Sequence, residues 1–400
     1  MISPWMVTRP TLLLLLLWTT RTELSHAWQL LSLSTKPRSS PSRHDSFSGN
    51  YPLYSTSAAD DLLYQEQEKL LVSRGALEGQ LMAQTDTSPL QAHVVKGAGS
   101  KGGFGTAAST KKGGGGSSTS ATAIKAQAKE LAKVLKQQGV VRIDKVLSNT
   151  VADELRAFLM NLRAESEALV AAGKIQPIQR FADVLLRHNR CDMPVPLGPD
   201  IVTTALDEIL LQSPVGGVIQ NLLTDQAVLY ELSCLCSDPG SQRQVMHPDT
   251  PYNPLSDEPV LYTCFIALQD ISIDMGPTTW LPNTHTLEIH QQFQDESIAN
   301  GATVSPKDLL LQTQPAVLGT LPKGCCGLYD SRLLHCGGAN ESETPRALFY
   351  FSFRNPKITS VGNPGSIRRD MIGKWDLQSL QKELKLIRKG KPSGNFVSEP

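Results

Sequence analysis

Four residues in the second half of the chain have the types and spacing that redox metal chemistry requires. His247 and Asp249 are separated only by Pro248. In extended backbone, side chains two apart leave the same face, so an imidazole and a carboxylate converge on one point. His335 stands eighty-six residues beyond Asp249, and Arg346 follows it by eleven. Two histidines and one carboxylate make a facial triad that leaves three coordination positions open, the donor set of non-haem Fe(II) oxygenases. A buried arginine beside such a triad offers a planar fork to a carboxylate. Triad and arginine together meet the needs of 2-oxoglutarate: two positions for its keto acid end, one for O2, and a cation for its far carboxylate. His-x-Asp alone is common by chance. Its weight here comes from the order His-x-Asp, long gap, His and then Arg, all within β-rich sequence.

That β-rich sequence consists of short apolar or alternating runs at 228–236, 260–268, 279–281, 316–321, 327–329 and 347–353, separated by turn residues. The change of texture begins near Val218, and the spacing predicts an antiparallel sandwich or barrel. Helices come first. Residues 126–138 form one, with Leu131, Val134 and Leu135 on a face and Gly139 as its stop, followed by a short strand at 140–143. Ser148-Asn149-Thr150 offers N-cap chemistry for a helix reaching about residue 172, striped by Leu155, Phe158, Leu159 and Leu162. Residues 200–211 and 368–389 form two more, the last basic at its end. No internal repeat is visible.

Composition bounds the rest. The 400 residues carry 38 basic and 38 acidic side chains, and this balance excludes a nucleic-acid binder that works by bulk charge. Seven cysteines cannot all pair, which excludes a complete disulfide framework. Residues 1–27 read as a signal peptide: Arg9, the apolar run Leu12 to Leu17, and Ser25-His26-Ala27 as a cleavage site. The run is too short for a stable transmembrane segment. Residues 28–57 are serine-rich and basic, with Asp45 the only acid, which fits a transit peptide or a propeptide. The junction at Ala27-Trp28 resembles the bipartite leaders of algae with secondary plastids. The expectation is therefore entry to the secretory pathway, ending in a plastid or in a secreted or endomembrane-lumen location. Residues 58–85 pattern as one amphipathic helix, 86–122 as a Gly/Ser-rich linker, 123–356 as the catalytic domain, and 357–400 as a tail with a helix.

From about Ala128 to Pro356 the chain resembles the phytanoyl-CoA dioxygenase family of Fe(II)/2-oxoglutarate oxygenases. The segments that carry the resemblance are Gly139-Val-Val-Arg-Ile-Asp, Ser237-Asp-Pro-Gly-Ser-Gln-Arg-Gln-Val-Met-His-Pro-Asp-Thr, Ala267-Leu-Gln-Asp-Ile, Met275-Gly-Pro-Thr-Thr-Trp-Leu-Pro-Asn-Thr-His and Tyr329-Asp-Ser-Arg-Leu-Leu-His-Cys-Gly-Gly-Ala-Asn-Glu-Ser-Glu-Thr-Pro-Arg. The resemblance implies a mainly β fold with flanking helices (α+β), built on a double-stranded β-helix or jelly roll. It implies His247, Asp249 and His335 as iron ligands, Arg346 as the 2-oxoglutarate anchor, and Phe265 as an aromatic residue beside the cosubstrate; Gln244, three residues before His247, reads as a cosubstrate contact or as a support behind the ligands. The cofactors it implies are Fe(II), 2-oxoglutarate and O2, with ascorbate as an accessory reductant. The substrate is then a small molecule, an acyl-CoA or another lipid-like compound. Related halogenases replace the ligand carboxylate with a small residue, so Asp249 favours hydroxylation or another oxidation, with succinate and CO2 as coproducts.

The sequence departs from the family pattern in two places. Pro282-Asn283-Thr284-His285 replaces Pro-Gly-Ser-His, and Gly337 stands where a hydroxyl residue often helps to hold 2-oxoglutarate. His285 reads as a structural turn residue, and His188 and His290 as surface or pocket residues. Cys325-Cys326, Cys234 and Cys236 read as buried thiols in strands. Arg180, Arg187, His188 and Arg190 read as a solvated basic face, with the entrance to the site as the alternative. A silent jelly-roll binding module and a cupin-like metalloenzyme of different chemistry are the competing functions.

Overall fold

The alternating runs form two facing sheets, and their alternation decides what lies between and behind them. The computed structural model describes residues 58–93, 121–182, 189–299, 301–358, 366–391 and 396. The expected signal peptide, the transit or propeptide segment and most of the linker lie outside the described residues.

The larger sheet has the order β2-β8-β5-β10-β4-β3 and is antiparallel throughout. Its strands are β2 (Val140–Ile143), β3 (Arg190–Pro194), β4 (Val228–Ser237), β5 (Leu261–Ala267), β8 (Cys326–Asp330) and β10 (Arg346–Arg354). The smaller sheet has the order β1-β7-β6-β9, from β1 (Thr87–Pro89), β6 (Thr278–Trp280), β7 (Ala316–Leu318) and β9 (His335–Gly337). Only the β1–β7 pair is parallel. Two mainly antiparallel sheets with helices outside them agree with the sandwich or barrel that the strand spacing predicts and with the jelly-roll α+β architecture that the family resemblance implies.

Period two sorts β10 cleanly. Ala347, Phe349, Phe351 and Phe353 face a core shared with the helices. Leu348 and Tyr350 face the smaller sheet and meet Phe265, Ala267, Trp280 and Tyr329 in a second core. Burying each of the three phenylalanines fully contributes about 1.5–3 kcal/mol, so this strand is a main source of cohesion as well as the carrier of Arg346.

The helical layer packs behind the larger sheet. It consists of α2 (Ala121–Gln138), α3 (Asn149–Ala171), α4 (Asp200–Asp207), α5 (Val215–Leu223) and, at the C-terminus, α8 (Leu377–Arg388). Helix α2 ends because Gly139 adopts φ +80°, and a Cβ there would meet Leu333 and the His285 ring. Ser148 caps α3 by accepting from the Val151 amide at 3.4 Å. Helix α4 continues in π geometry over Glu208–Gln212, where Glu208 accepts from the Ser148 amide and hydroxyl. The remaining helices lie by the smaller sheet: α1 (Ala58–Met82), α6 (Leu287–Gln294) and α7 (Pro306–Thr313). Arg74 of α1 pairs with Asp308 of α7 at 3.0 Å.

Several boundaries differ from the expectation. The segment near Val218 is helical, because Val215, Val218, Ile219 and Leu223 recur at helical spacing and are buried together. The linker cannot begin at 86: Thr87–Pro89 pairs with Ala316–Leu318, and Leu90 is buried. The C-terminal segment is no appendage, and its helix starts at Leu377 rather than 368. Asp376 caps it, and Leu377, Leu380 and Leu384 enter the main core. All seven cysteines are free, and six are buried. Among the described residues no helix is long and apolar enough to cross a membrane.

Leu380 is fully buried, so Leu380→Ala should destabilise the protein by about 2–5 kcal/mol. A lowered urea midpoint with an unchanged slope checks this.

Candidate metal centre and its cavity

Backbone pairing builds the centre. His247 and His335 form an isolated antiparallel bridge and exchange both amide–carbonyl hydrogen bonds, at 3.0 and 2.9 Å. Three residues upstream the pairing continues: the Gln244 amide donates to Gly337 O, and the Gly337 amide donates to Gln244 Oε1, each at 2.9 Å. The Met246 amide donates to Glu78 of α1, a carboxylate only 1% exposed. The His-x-Asp segment is thus an extra edge strand beside β9.

Each histidine is oriented in the same way. His247 Nδ1 lies 2.8 Å from Val245 O, and His335 Nδ1 lies 3.0 Å from Leu333 O. A carbonyl can only accept, so both Nδ1 atoms carry the proton and both Nε2 atoms keep a lone pair for a metal. Those Nε2 atoms lie 4.0 and 3.4 Å from Asp249 Oδ1. Asp249 Oδ2 accepts from the Tyr329 hydroxyl at 2.9 Å, which fixes the carboxylate plane and leaves Oδ1 toward the histidines. The three ligand atoms fall within 4.8 Å of one another. Two imidazole lone pairs and one carboxylate oxygen, converging without a bridging cation, fit a divalent metal ion.

The electrostatics agree. Burial, reinforced by His335, lowers the His247 pKa to about 4, so its ring is neutral. Burial also disfavours charge on His335, but Asp249 outweighs it and raises the pKa. For Asp249 burial acts upward, yet the pull of His335 and its hydrogen bonds leave the pKa lowered.

A cavity of about 150 Å3 opens on this triad. Arg346, Gln244, Gly337 and Phe265 line it, as do Leu235, Glu231, Thr263, Tyr329 and Tyr350. The geometry therefore brings all six expected site residues to one place. Arg346 is 1% exposed. Its Nη2 donates to Ser237 Oγ at 3.0 Å, its Nε has no partner, and among the described residues it has no ion pair. Burial, with Arg190 close by, lowers its pKa to about 9. An interior guanidinium with an orphaned donor fits a carboxylate ligand.

Arg190 corrects the expectation of a solvated basic face. It is 5% exposed and donates to Ser237 Oγ at 2.7 Å, Gln242 O at 2.9 Å and Gly338 O at 3.1 Å. Burial lowers its pKa to about 10. Arg187 and His188 lie outside the described residues. The departure at Gly337 now has a physical reason, because a Cβ there would stand 2.7 Å from both Arg190 Nη1 and Gln244 Oε1. Arg190 occupies the space a hydroxyl residue would need. His290 is also corrected, since it is 3% exposed and contacts Arg332 O at 2.7 Å as a structural group. His285 contacts Lys136 O at 3.2 Å and is not one of the converging ligands.

Other cavity residues escaped sequence reasoning. Asp192 is fully buried and accepts from Ser233, from Tyr350 at 2.8 Å and from Ser366 at 2.7 Å. Burial raises its pKa against those three donors. Burial and then Asp249 push Glu231 up to about 8. Period two along β4 places Glu231, Ser233, Leu235 and Ser237 on one face, a signal available in the sequence once that strand's inner face is known.

Comparison with known proteins gives one family match and several structural likenesses. Residues 135–348 match the family model for phytanoyl-CoA dioxygenase (PhyH). No curated protein matches the chain. Among solved structures, the epimerase SnoN in complex with Fe3+, alpha ketoglutarate and nogalamycin RO is 19% identical with a TM-score of 0.40, over 57% of this chain and 84% of that one. AviO1 from Streptomyces viridochromogenes Tue57 is 15% identical with a TM-score of 0.40, over 58% and 97%. HygX from Streptomyces hygroscopicus, with nickel and 2-oxoglutarate bound, is 14% identical with a TM-score of 0.39, over 58% and 88%.

Two outcomes follow from this geometry. Below the raised His335 pKa a metal must displace a proton from His335, whereas His247 stays neutral down to about pH 4. Mn(II) affinity should therefore weaken as pH falls through the raised His335 pKa, with a slope near one proton, on the order of tenfold per pH unit. Calorimetric titrations across pH check the slope, and a two-proton slope contradicts it. Gly337→Ser should destabilise by about 1–3 kcal/mol through overpacking against Arg190, read from denaturant midpoints.

Proposed function

The chain belongs to the phytanoyl-CoA dioxygenase family, and from that membership we propose that it is a non-haem Fe(II)- and 2-oxoglutarate-dependent oxygenase that hydroxylates a small organic molecule. One observation carries the reading: three convergent metal donors share a cavity with a buried arginine that has no carboxylate partner among the described residues.

His247, Asp249 and His335 would hold the metal, which when bound supplies the one-electron chemistry that couples O2 to oxidation of cosubstrate and substrate. Arg346 would take the far carboxylate of 2-oxoglutarate, with Ser237 Oγ keeping its guanidinium in plane. Arg190 stands behind Gly337 and adds positive potential at the same end. Tyr329 keeps Asp249 from rotating. Phe265, packed edge-on against Tyr329 and Tyr350 at 5.2 and 5.4 Å, walls the cavity and limits water beside the reacting centre. The apolar run and serine-rich composition of residues 1–57 support a further proposal, entry into the secretory pathway.

Purified protein given Fe(II), O2 and 2-oxoglutarate should form succinate without added substrate, slowly. Absence of both metal binding and succinate would overturn the reading. His247→Ala should abolish metal binding and turnover. Arg346→Ala should raise the 2-oxoglutarate requirement by about 10- to 100-fold, the worth of hydrogen bonds to a charged group, while Mn(II) affinity stays unchanged.

A further inference from the structure

The cavity has chemically opposite ends. At one end Arg346 on β10, Ser237 on β4 and Arg190 on β3 stand in register. Six residues along β10, about 20 Å of strand, Ser352 pairs with Glu231 on β4 and with Thr263 on β5. Thr263 pairs in turn with Tyr329 on β8, the residue that donates to Asp249. This second row therefore lies beside the metal triad, away from the end suited to 2-oxoglutarate.

The second row is short of positive charge. Glu231 is half-buried, lines the cavity, and has Asp249 and Asp192 as its charged neighbours. Among the described residues no basic side chain pairs with it. Thr263 lines the same space and is 1% exposed; its Oγ1 lies near the Tyr329 hydroxyl, which already donates to Asp249, and makes no well-formed hydrogen bond. A hydrocarbon chain seated here would strip water from a carboxylate and a hydroxyl and replace none of their hydrogen bonds. An anionic headgroup would face carboxylates. A cationic donor satisfies the row: an ammonium group brings up to three N–H donors, and its charge favours the ionised form of Glu231, which burial and Asp249 otherwise disfavour.

We propose that the substrate is a small organic amine, protonated at neutral pH, whose ammonium group binds between Glu231 and Thr263 Oγ1 beside the metal triad. The proposal rests on the oxygenase reading for what happens to the bound amine, but the recognition itself needs no turnover. It narrows the substrate away from acyl-CoA and other lipid-like compounds.

Full-length protein loaded with Mn(II) and 2-oxoglutarate would be titrated calorimetrically with n-propyl-, n-butyl- and n-hexylammonium ions, the matching alcohols, and hexanoate. The ammonium ions should bind, and the alcohols and hexanoate should bind at least about tenfold more weakly, as expected of charge-assisted pairing. Glu231→Gln should lose about tenfold or more in ammonium affinity while keeping Mn(II) and 2-oxoglutarate affinity. Thr263→Val, nearly isosteric, should give a smaller loss. Equal binding of alcohols, preference for hexanoate, no binding of any ammonium ion, or an unaffected Glu231→Gln variant overturns the proposal. Failure of wild-type protein to bind Mn(II) and 2-oxoglutarate would instead strike the oxygenase reading. Ammonium affinity measured without either ligand keeps the two failures apart.

Discussion

Everything in the site depends on the pair of backbone hydrogen bonds between His247 and His335. They join segments far apart in sequence at one register, and register in a β pair decides which face every side chain takes. A slip of one residue would turn one imidazole away from the other. In this register the rings sit 4.6 Å apart, each tied by Nδ1 to the carbonyl two residues before it. The same local hook, used twice, aims both Nε2 atoms at Asp249. The Gln244–Gly337 pairing extends the bridge and places the cosubstrate end of the cavity on the same frame.

That frame holds charge apart rather than cancelling it. Asp192 meets its burial with three hydroxyl donors and needs no cation. Arg346 and Arg190 both donate to the Ser237 hydroxyl and otherwise only to backbone carbonyls, so their burial is incompletely compensated. Two guanidiniums at one end and carboxyl groups without a cation partner near the other leave the interior polarised. Such an arrangement costs stability in the free protein, and it is offset when ligands of opposite charge arrive. Gly337 is part of this balance, because only a residue without a side chain lets Arg190 approach.

What the sequence discloses follows from range. The triad was legible because His247 and Asp249 obey a period-two rule within three residues, and because Arg346 opens an apolar strand whose alternation is plain. An antiparallel sandwich or barrel was legible from strand spacing for the same reason, and the family resemblance narrowed it to a jelly roll. Arg190 was not, since its burial depends on β3 pairing with β4 and on an absent side chain nearly 150 residues away. Strand β1 was hidden in turn-like composition, because three exposed residues gain their order from parallel pairing with Ala316–Leu318 rather than from propensity. Helix α5 was misread because a short apolar run is ambiguous between buried helix and strand.

The domain edges follow the same logic and change what counts as the site. The family match ends at 348, yet Ser366 reaches Asp192 in the cavity, and at the start of β4 the Leu229 amide donates to Trp375 O while the Leu377 amide donates to Ala227 O. The match begins at 135, yet Glu78 on α1 accepts a hydrogen bond from the amide of Met246, next to a metal-ligating candidate. Glu78 is itself held by Arg74 at 3.0 Å, with Lys307 at 3.7 Å. A buried carboxylate bonded to one backbone amide and flanked by two cations has little freedom. Any movement of α1 must therefore either break that bond or carry the His247 segment with it. The flanking helices act on the metal centre through the backbone, by the same kind of hydrogen bond that joins the two histidines.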